Sequence, residues 1–250
     1  MAHTKILFIN LGYARGIGGR LAEHIRYAHR HFYCSPIIQK EALRQFNELI
    51  VKEKPDVCCL VEINRGSFAS AGFDQLAALI NETYSFSDIE NKYAQGSFLR
   101  SFAMTSGNCN AFIAKRKYNF EKLFFTRGMK RLVYKICLDK DLTLFFAHFS
   151  LKKTIRAQQI IEARNLMSKT PGEVIFLGDF NILSGLHEIN PLLDQGRFIL
   201  LNRDDHPTFF FHKQEKILDL CVCSPSLAEK TALKILPQSY SDHAALIVDI

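Results

Sequence analysis

The sequence has no tryptophan, and no apolar run approaches the ~18 residues that a membrane-spanning helix requires. Its first apolar run, Ile6-Leu7-Phe8-Ile9 behind Lys5, is too short for the h-region of a signal peptide. A soluble, cytoplasmic chain is therefore expected. The seven cysteines (Cys34, Cys58, Cys59, Cys109, Cys137, Cys221 and Cys223) show neither a zinc-ligand spacing nor a C-x-x-C pair. They are odd in number and lie mostly in apolar runs, so buried, reduced thiols are expected. There is also no linker-like stretch, low-complexity segment or internal repeat, which makes residues 1–250 one expected domain.

What is present is an ordinary globular composition: 250 residues, 48% hydrophobic and 23% charged, enough for a sizeable core. Disordered, collagen-like and coiled-coil chains are excluded. Lysine and arginine total 32 against 25 acidic residues, and the resulting net charge of +7 favours an anionic partner: nucleic acid, phospholipid or a phosphate ester. The 21 phenylalanines take over the packing that tryptophan would share, so the doublets Phe124-Phe125 and Phe145-Phe146 read as core.

Short apolar runs at 6–9, 57–61, 109–114, 132–138, 142–147, 174–177, 217–223 and 244–248 read as strands, and the Asp139-Lys140-Asp141 break makes a hairpin of two of them. Within these runs Cys58 and Cys59 face opposite ways, while Cys221 and Cys223 share a face. Helical spacing appears at Leu43, Phe46, Leu49 and Ile50 before Pro55, at Leu76, Leu79 and Ile80, and over 154–167. The class is α/β or α+β. Residues 16–38, basic, histidine-rich and aromatic without clean periodicity, read as a surface insertion.

Four apolar runs end on a residue that can coordinate metal or handle phosphate: Asn10 after Ile9, Glu62 after Val61, His148 after Ala147, and Asp179 just beyond Leu177. One such residue alone is a strand surfacing, but strand ends that converge can join remote residues in one cleft. In Gly178-Asp179-Phe180-Asn181 the glycine lets the backbone turn, Asp179 and Asn181 project together, and Phe180 points into the core. A carboxylate beside a carboxamide can orient water and bind a phosphoryl oxygen; an Asx-turn explains the same residues. Asp219 interrupts the apolar 217–223 run, where an unpaired carboxylate would cost several kcal/mol. Its candidate partner is His243 in Ser241-Asp242-His243, since a carboxylate on one ring nitrogen fixes the tautomer and frees the other for chemistry. The alternative is that Asp219 faces water and His243 sits in a turn.

Taken in order, Asn10, Glu62, His148, Gly178-Asp179-Phe180-Asn181, Asp219 and Ser241-Asp242-His243 resemble the endonuclease/exonuclease/phosphatase family over nearly the whole chain. Arg156 and Gln158 or Gln159 look like the helix that commonly follows that family's histidine-bearing strand. The resemblance implies a four-layer sandwich, two mixed sheets face to face with helices outside, and a site at one end. It implies Mg²⁺, with Mn²⁺ as a possible substitute. Glu62 would be the principal metal ligand, Asn10 would lie near the metal, and Asp242 would support the site or order its waters. Asp179 would orient or deprotonate the attacking water, Asn181 would hold that water or a phosphoryl oxygen, and His148 would bind a phosphoryl oxygen. His243, held by Asp219, would be the base or would stabilise developing charge. One departure is Val61, which stands where family members often carry glutamine before the metal glutamate.

The leading expectation is a metal-dependent phosphodiesterase acting on nucleic acid by in-line attack of water. The basic clusters Lys115-Arg116-Lys117 and Arg127, Lys130, Arg131 would contribute to binding, although solvated faces explain them equally. The alternatives are the same chemistry on a phospholipid head group or small phosphate ester, and a non-catalytic nucleic-acid-binding module of the same fold. A monomer is favoured. All eight polar residues are expected in one cleft, with an Asp219 oxygen about 2.6 to 3.2 Å from a His243 nitrogen. Glu62 and Asp179 are expected to flank a space for one cation.

Overall fold

A computed structural model describes residues 3–250. In chain order the strands are β1 (Lys5–Asn10), β2 (Val57–Asn64), β3 (Phe86–Asn91), β4 (Asn108–Ala114), β5 (Asn119–Phe124), β6 (Leu132–Asp139) and β7 (Leu142–His148). They continue with β8 (Glu173–Asp179), β9 (Ile199–Leu200), β10 (Phe209–Phe211), β11 (Gln214–Lys216), β12 (Asp219–Cys223), β13 (Ala232–Leu236) and β14 (Ala245–Asp249). The helices are α1 (Leu21–Arg26), α2 (Pro36–Glu53), α3 (Lys153–Lys169), α4 (Asn190–Leu193) and α5 (Pro225–Ala228).

One six-stranded sheet runs β13-β14-β1-β2-β4-β3, the other β5-β6-β7-β8-β12-β9, and β10 pairs with β11 as a separate hairpin. Each large sheet holds one parallel pair joined through a long helix: β1 and β2 across α2, β7 and β8 across α3. The remaining pairings within the two sheets are antiparallel. The sheets stack face to face, and period-two alternation sorts their side chains into three apolar layers. Ile6, Phe8, Phe146, Leu177 and Cys221 meet between the sheets. Leu7, Ile9 and Cys58 pack beneath α2 against Phe46 and Ile50, while Phe145, Phe176 and Val222 pack beneath α3 against Ile160 and Ala163. The result is the four-layer sandwich.

That alternation also positions the site. Two residues beyond Phe8, Phe146 and Leu177 come Asn10, His148 and Asp179, and two residues before Cys221 comes Asp219. All four therefore leave their strands on the face between the sheets. His148 pairs in register with Asp179, and Asp179 with Asp219, so three neighbouring strands end in one polar row.

Several local expectations are corrected. The stretch around Leu76, Leu79 and Ile80 is not a helix but hydrogen-bonded turns that bury Leu76 and Leu79. Asp74 caps the Ala77 N–H at its start, and Asn81 accepts from the Thr83 and Tyr84 N–H groups at its end, leaving too few residues to propagate a helix. The last internal strand begins at Asp219 rather than 217, and at its start the Thr208 hydroxyl accepts the N–H groups of both Leu218 and Asp219. Gly178 lies within β8 rather than at a turn; a Cβ there would come 2.8 Å from the Ala147 carbonyl oxygen, and the left-handed turn falls at Asn181, φ 51°. Cys137 is exposed on the outer face of β6, whereas the other six cysteines are buried and all seven are free. Residues 16–38 comprise α1, a 3₁₀ turn and the start of α2; α1 buries no residue, as a surface insertion would, and Ile17 bridges Ser241 beside the polar row.

Candidate active site

The site lies where β1, β2, β7, β8 and β12 end and the chain enters β14. Its centre is the pair foreseen between Asp219 and His243: Nδ1 of His243 lies 2.7 Å from Oδ2 of Asp219, and both side chains are buried. Thr208 fixes the carboxylate's strand, its hydroxyl accepting the N–H groups of Leu218 at 2.9 Å and Asp219 at 2.8 Å. On the other ring edge, Nε2 of His243 lies 3.5 Å from Nδ2 of Asn10 and 4.0 Å from Oδ2 of Asp179. Asn10 donates to that same Asp179 oxygen at 3.0 Å, while its own Oδ1 accepts the Gly12 N–H.

Asp179 also meets Nε2 of His148 at 3.1 Å, and its Oδ1 accepts the Asn181 N–H at 3.1 Å. That last bond is an Asx-turn, so the turn and the cleft position occur together. Nδ2 of Asn181 donates to the Phe149 carbonyl at 3.1 Å, and Phe180 between the two polar residues is fully buried. Nδ1 of His148 faces Oε1 of Glu62 at 3.7 Å, so an imidazole rather than open space stands between Glu62 and Asp179. Asp242 is half-buried beside His243, its backbone carbonyl accepting the Phe210 N–H at 2.9 Å. Asn10, Glu62, His148, Asp179, Asn181, Asp219 and His243 thus converge, with Asp242 next to His243 in the chain, although Asn10 and His243 are 233 positions apart.

Glu62 reaches this cleft by a different route from its neighbours. Strict alternation would turn it away from Val61 and the space between the sheets. Instead β2 carries one extra residue against β4 between Leu60 and Ile63, and Glu62 takes φ 54°. This bulge bends the strand end and re-aims the carboxylate.

Two lysines complete the cleft. Lys92, next to the end of β3, places Nζ 3.3 Å from Oε1 of Glu62 and against the Tyr13 hydroxyl. Lys130, in the loop before β6, sets its Nζ against Nε2 of His148 and 4.0 Å from Glu62. Gln159 of α3 anchors that loop, donating to the carbonyls of Arg127 at 2.9 Å and Lys130 at 2.8 Å. Lys92 carried no sequence signal. Lys130 stood among basic residues that a solvated face explains equally, and only the register of two sheets separates it from Arg127.

The electrostatics assign charge states. Burial alone would raise Glu62, but Lys92, His148 and Lys130 hold its carboxyl far below the usual range. Asp179 likewise stays low against the effect of burial, because His148 and His243 stand beside it. Burial and the charge of Lys130 push His148 down to about 4, leaving a neutral ring. Such a ring has one N–H, so Nε2 can donate to Asp179 or accept from Lys130, not both. Burial takes Lys130 down to about 8. Burial would lower His243 too, but Asp219 and Asp179 raise it well above the ordinary histidine range. Near neutral pH this makes His243 an imidazolium held by Asp219.

The oxygen donors suit a hard divalent cation. Glu62 and Asp242 offer carboxylate oxygens of the type such an ion takes, and Asn10 offers Oδ1, which accepts the Gly12 N–H at 3.0 Å. Burial raises Asp242, and the charge of Glu62 adds to it although His243 opposes, so these two acidic groups repel until a cation is present. Among the described residues, Asp179, Asp219 and His243 also bring possible ligand atoms within 4.8 Å of one another, but there Nδ1 of His243 is already committed to Asp219.

A sequence profile of the Endonuclease/Exonuclease/phosphatase family matches residues 38–243. The chain belongs to that family. Among solved structures it is similar to an endonuclease/exonuclease/phosphatase from Beutenbergia cavernae at 13% identity and TM-score 0.68, covering 99% of this chain and 71% of the other. It is similar to D. rerio TDP2 complexed with a single-strand DNA product at 14% identity and TM-score 0.63, covering 100% and 99%. The endonuclease domain of TRAS1, a telomere-specific non-LTR retrotransposon, aligns at 13% identity and TM-score 0.58, covering 99% and 98%. At these identities the likeness concerns the fold. No curated protein matches the sequence significantly, and no helix among the described residues is long and apolar enough to cross a membrane.

Proposed function

We propose that this chain is a divalent-metal-dependent phosphodiesterase that hydrolyses nucleic acid by in-line attack of water. The observation that carries the reading is the run of close contacts from Asp219 to His243 at 2.7 Å, from His243 to Asp179 at 4.0 Å, from Asp179 to Asn10 at 3.0 Å and to His148 at 3.1 Å, and from His148 to Glu62 at 3.7 Å, at the meeting point of both sheets. Asp179, held ionised, orients a water with Asn181 and takes its proton as the oxygen attacks phosphorus. His243, held protonated by Asp219, directs an N–H into the cleft to stabilise the charge that develops on phosphoryl oxygen. His148 and Lys130 bind a second phosphoryl oxygen. Glu62, Asn10 and Asp242 would hold Mg²⁺, for which Mn²⁺ would substitute; the bound ion supplies charge neutralisation at the phosphoryl group.

This assignment gives the proton and charge-stabilising roles to different groups, because environment drives Asp179 and His243 in opposite directions. The family supports phosphate-ester chemistry, and the +7 charge supports a polyanionic substrate. We read residues 1–250 as one domain built around this site, and the free thiols lead us to place it in the cytoplasm. The test is incubation with Mg²⁺ or Mn²⁺ and plasmid DNA, RNA, sphingomyelin, inositol phosphates or an aryl phosphodiester. Cleavage of nucleic acid is expected. Turnover of sphingomyelin alone would move the assignment to lipid head groups, and no turnover of any substrate would leave a binding module.

A further inference from the structure

Ten of the 21 phenylalanines are buried, whereas Tyr33, Phe68, Phe98 and Phe102 are 50%, 61%, 71% and 42% exposed. They lie on three loops, and backbone hydrogen bonds make those loops one surface. The Phe68 N–H donates to the Ala103 carbonyl at 3.1 Å, and the Cys34 N–H to Ala69 at 2.8 Å. The rings are paired: Tyr33 and Phe68 have centroids 5.9 Å apart, and Phe98 and Phe102 lie 5.5 Å apart at 31°.

This surface adjoins the cleft. Asn64, two residues past Glu62, fixes the Phe68 loop, its Oδ1 accepting the N–H groups of Gly66 and Ser67 at 2.9 Å and the Ser70 hydroxyl at 3.0 Å. Lys92, itself against Glu62, opens the loop that carries Phe98 and Phe102. The segment bearing Tyr33 is tied to the cleft's edge by Arg30, whose Nη1 donates to the carbonyls of Arg15 at 2.9 Å and Gly16 at 3.1 Å, beside Tyr13, whose hydroxyl meets Lys92. Charge completes the picture. Residues 11–38 hold four arginines and one acidic residue, and residues 92–107 hold Lys92 and Arg100 with no acidic residue. Neither Arg15, stacked on Tyr13, nor exposed Arg65 forms a salt bridge within the described residues.

We propose that these four aromatics are a base-stacking platform beside the phosphoesterase cleft, and that the substrate of this chain is single-stranded nucleic acid. The proposal rests on the phosphodiesterase reading above. A single strand presents bases and phosphates in alternation, and this surface sets exposed Arg65 beside Phe68, while Arg100, between Phe98 and Phe102 in the sequence, is paired with Glu90 at 2.9 Å and Arg30 donates to the Arg15 and Gly16 carbonyls behind Tyr33. A paired duplex buries its base faces and has nothing to lay on the rings. Loops tied by backbone hydrogen bonds hold those rings in place before the strand arrives, which limits the ordering cost of binding.

The absence of tryptophan supplies the test. Phe68→Trp puts one indole on the platform of an otherwise tryptophan-free protein, and Phe98→Trp repeats the measurement on the second ring pair. In metal-free buffer each variant is titrated with a dT12 oligonucleotide, with a twelve-unit abasic deoxyribose-phosphate oligomer, and with phosphatidylserine/phosphatidylcholine vesicles. Quenching by dT12 but not by the abasic oligomer or vesicles is expected. Wild-type protein should bind dT12 at least about tenfold more tightly than the abasic oligomer, since stacking one base is worth ~1–3 kcal/mol. Equal affinity for the two oligomers, or a response to vesicles alone, overturns the platform, the second outcome in favour of a membrane surface. Hydrolysis of bis(4-nitrophenyl) phosphate by the wild type with Mg²⁺ is read separately. Its absence would overturn the catalytic reading without touching the binding result.

Discussion

Arg156 of α3 should be worth more to stability than any residue on the surface of this helix, and replacing it with leucine is the most informative stability test the fold offers. Its guanidinium is 1% exposed and makes four hydrogen bonds: two to Oε2 of Glu188, at 2.9 and 2.6 Å, and one each to the carbonyls of Ser150 at 3.1 Å and Leu151 at 2.7 Å. Glu188, 5% exposed, accepts the Ser184 N–H at 2.8 Å through its other oxygen. The pair therefore ties the loop after β7 to the loop after β8, immediately behind His148 and Asp179. Arg156→Leu would leave the Glu188 carboxylate buried and uncompensated, a loss of about 3–5 kcal/mol. At about 2–4 °C per kcal/mol for a chain of this size, calorimetry should show Tm falling by about 6–20 °C. Replacing both partners, Arg156→Leu with Glu188→Leu, should recover part of that loss because no orphaned charge remains.

The pH dependence has a definite sign. Burial alone would raise Glu188, but the Ser184 N–H and Arg156 hold its carboxyl below the usual value. A depressed folded-state pKa contributes stability that is fully present above the unfolded value, about 4.3, and is lost as pH falls toward the lower folded value. Without Arg156 the arginine's share of that contribution is gone at every pH, and only the Ser184 N–H remains to hold the carboxylate. The Tm difference between wild type and Arg156→Leu should thus be widest near pH 7 and narrow below about pH 4. A variant within about 0.5 kcal/mol of wild type, the level of an ordinary surface change, would refute the burial argument. A deficit independent of pH would refute the ionic one.

The site gives three further predictions. Asp179→Asn and His243→Gln should each lower turnover by ~10²–10⁴ with cooperative unfolding retained, and wild-type rates in either would remove that residue from the mechanism; glutamine is preferred to alanine at 243 because its amide can still donate to Asp219, which now bonds the His243 ring. Glu62→Gln should shift the metal activation curve to higher concentration more than it weakens substrate binding, since a carboxamide keeps the shape without the charge; an unmoved titration would mean that the ion is held elsewhere. Lys130→Met should lower kcat/KM by about 10²-fold, as expected for loss of one charged phosphoryl contact, and unchanged steady-state kinetics would leave Lys130 a purely structural partner of His148.

The legible part of this chain is the part governed by alternation. Asn10, His148, Asp179 and Asp219 stand at even offsets from the buried Phe8, Phe146, Leu177 and Cys221, so an apolar run that ends in a polar residue of the same parity carries its face outward to the sheet end. The edge strands β3, β5 and β13 lacked this signal because their residues are only half covered: Phe86-Ser87-Asp88-Ile89-Glu90-Asn91 mixes polar and apolar residues as a solvated edge requires. The helix expected near Leu76 failed for the opposite reason, since two buried leucines three apart satisfy a turn as well as a helix.

Glu62 shows where parity stops carrying information. Val61 and Ile63 belong to opposite apolar layers, one between the sheets and one beneath α2, although an uninterrupted strand would place residues two apart on one face. Only an inserted residue reconciles them, and Glu62 is that residue, with left-handed backbone and a carboxylate turned toward His148 and Lys92. A non-glycine residue in this region is sterically unfavourable, so glycine at 62 would relax the backbone while removing the ligand. With glutamate at this position, the fold tolerates a strained residue at the strand end in return for a carboxylate aimed between the sheets. Nothing in the run Val57 to Asn64 announces the bulge, because its partner is β4, some fifty residues later, and register against a distant strand is a property of the assembled sheet rather than of any local segment.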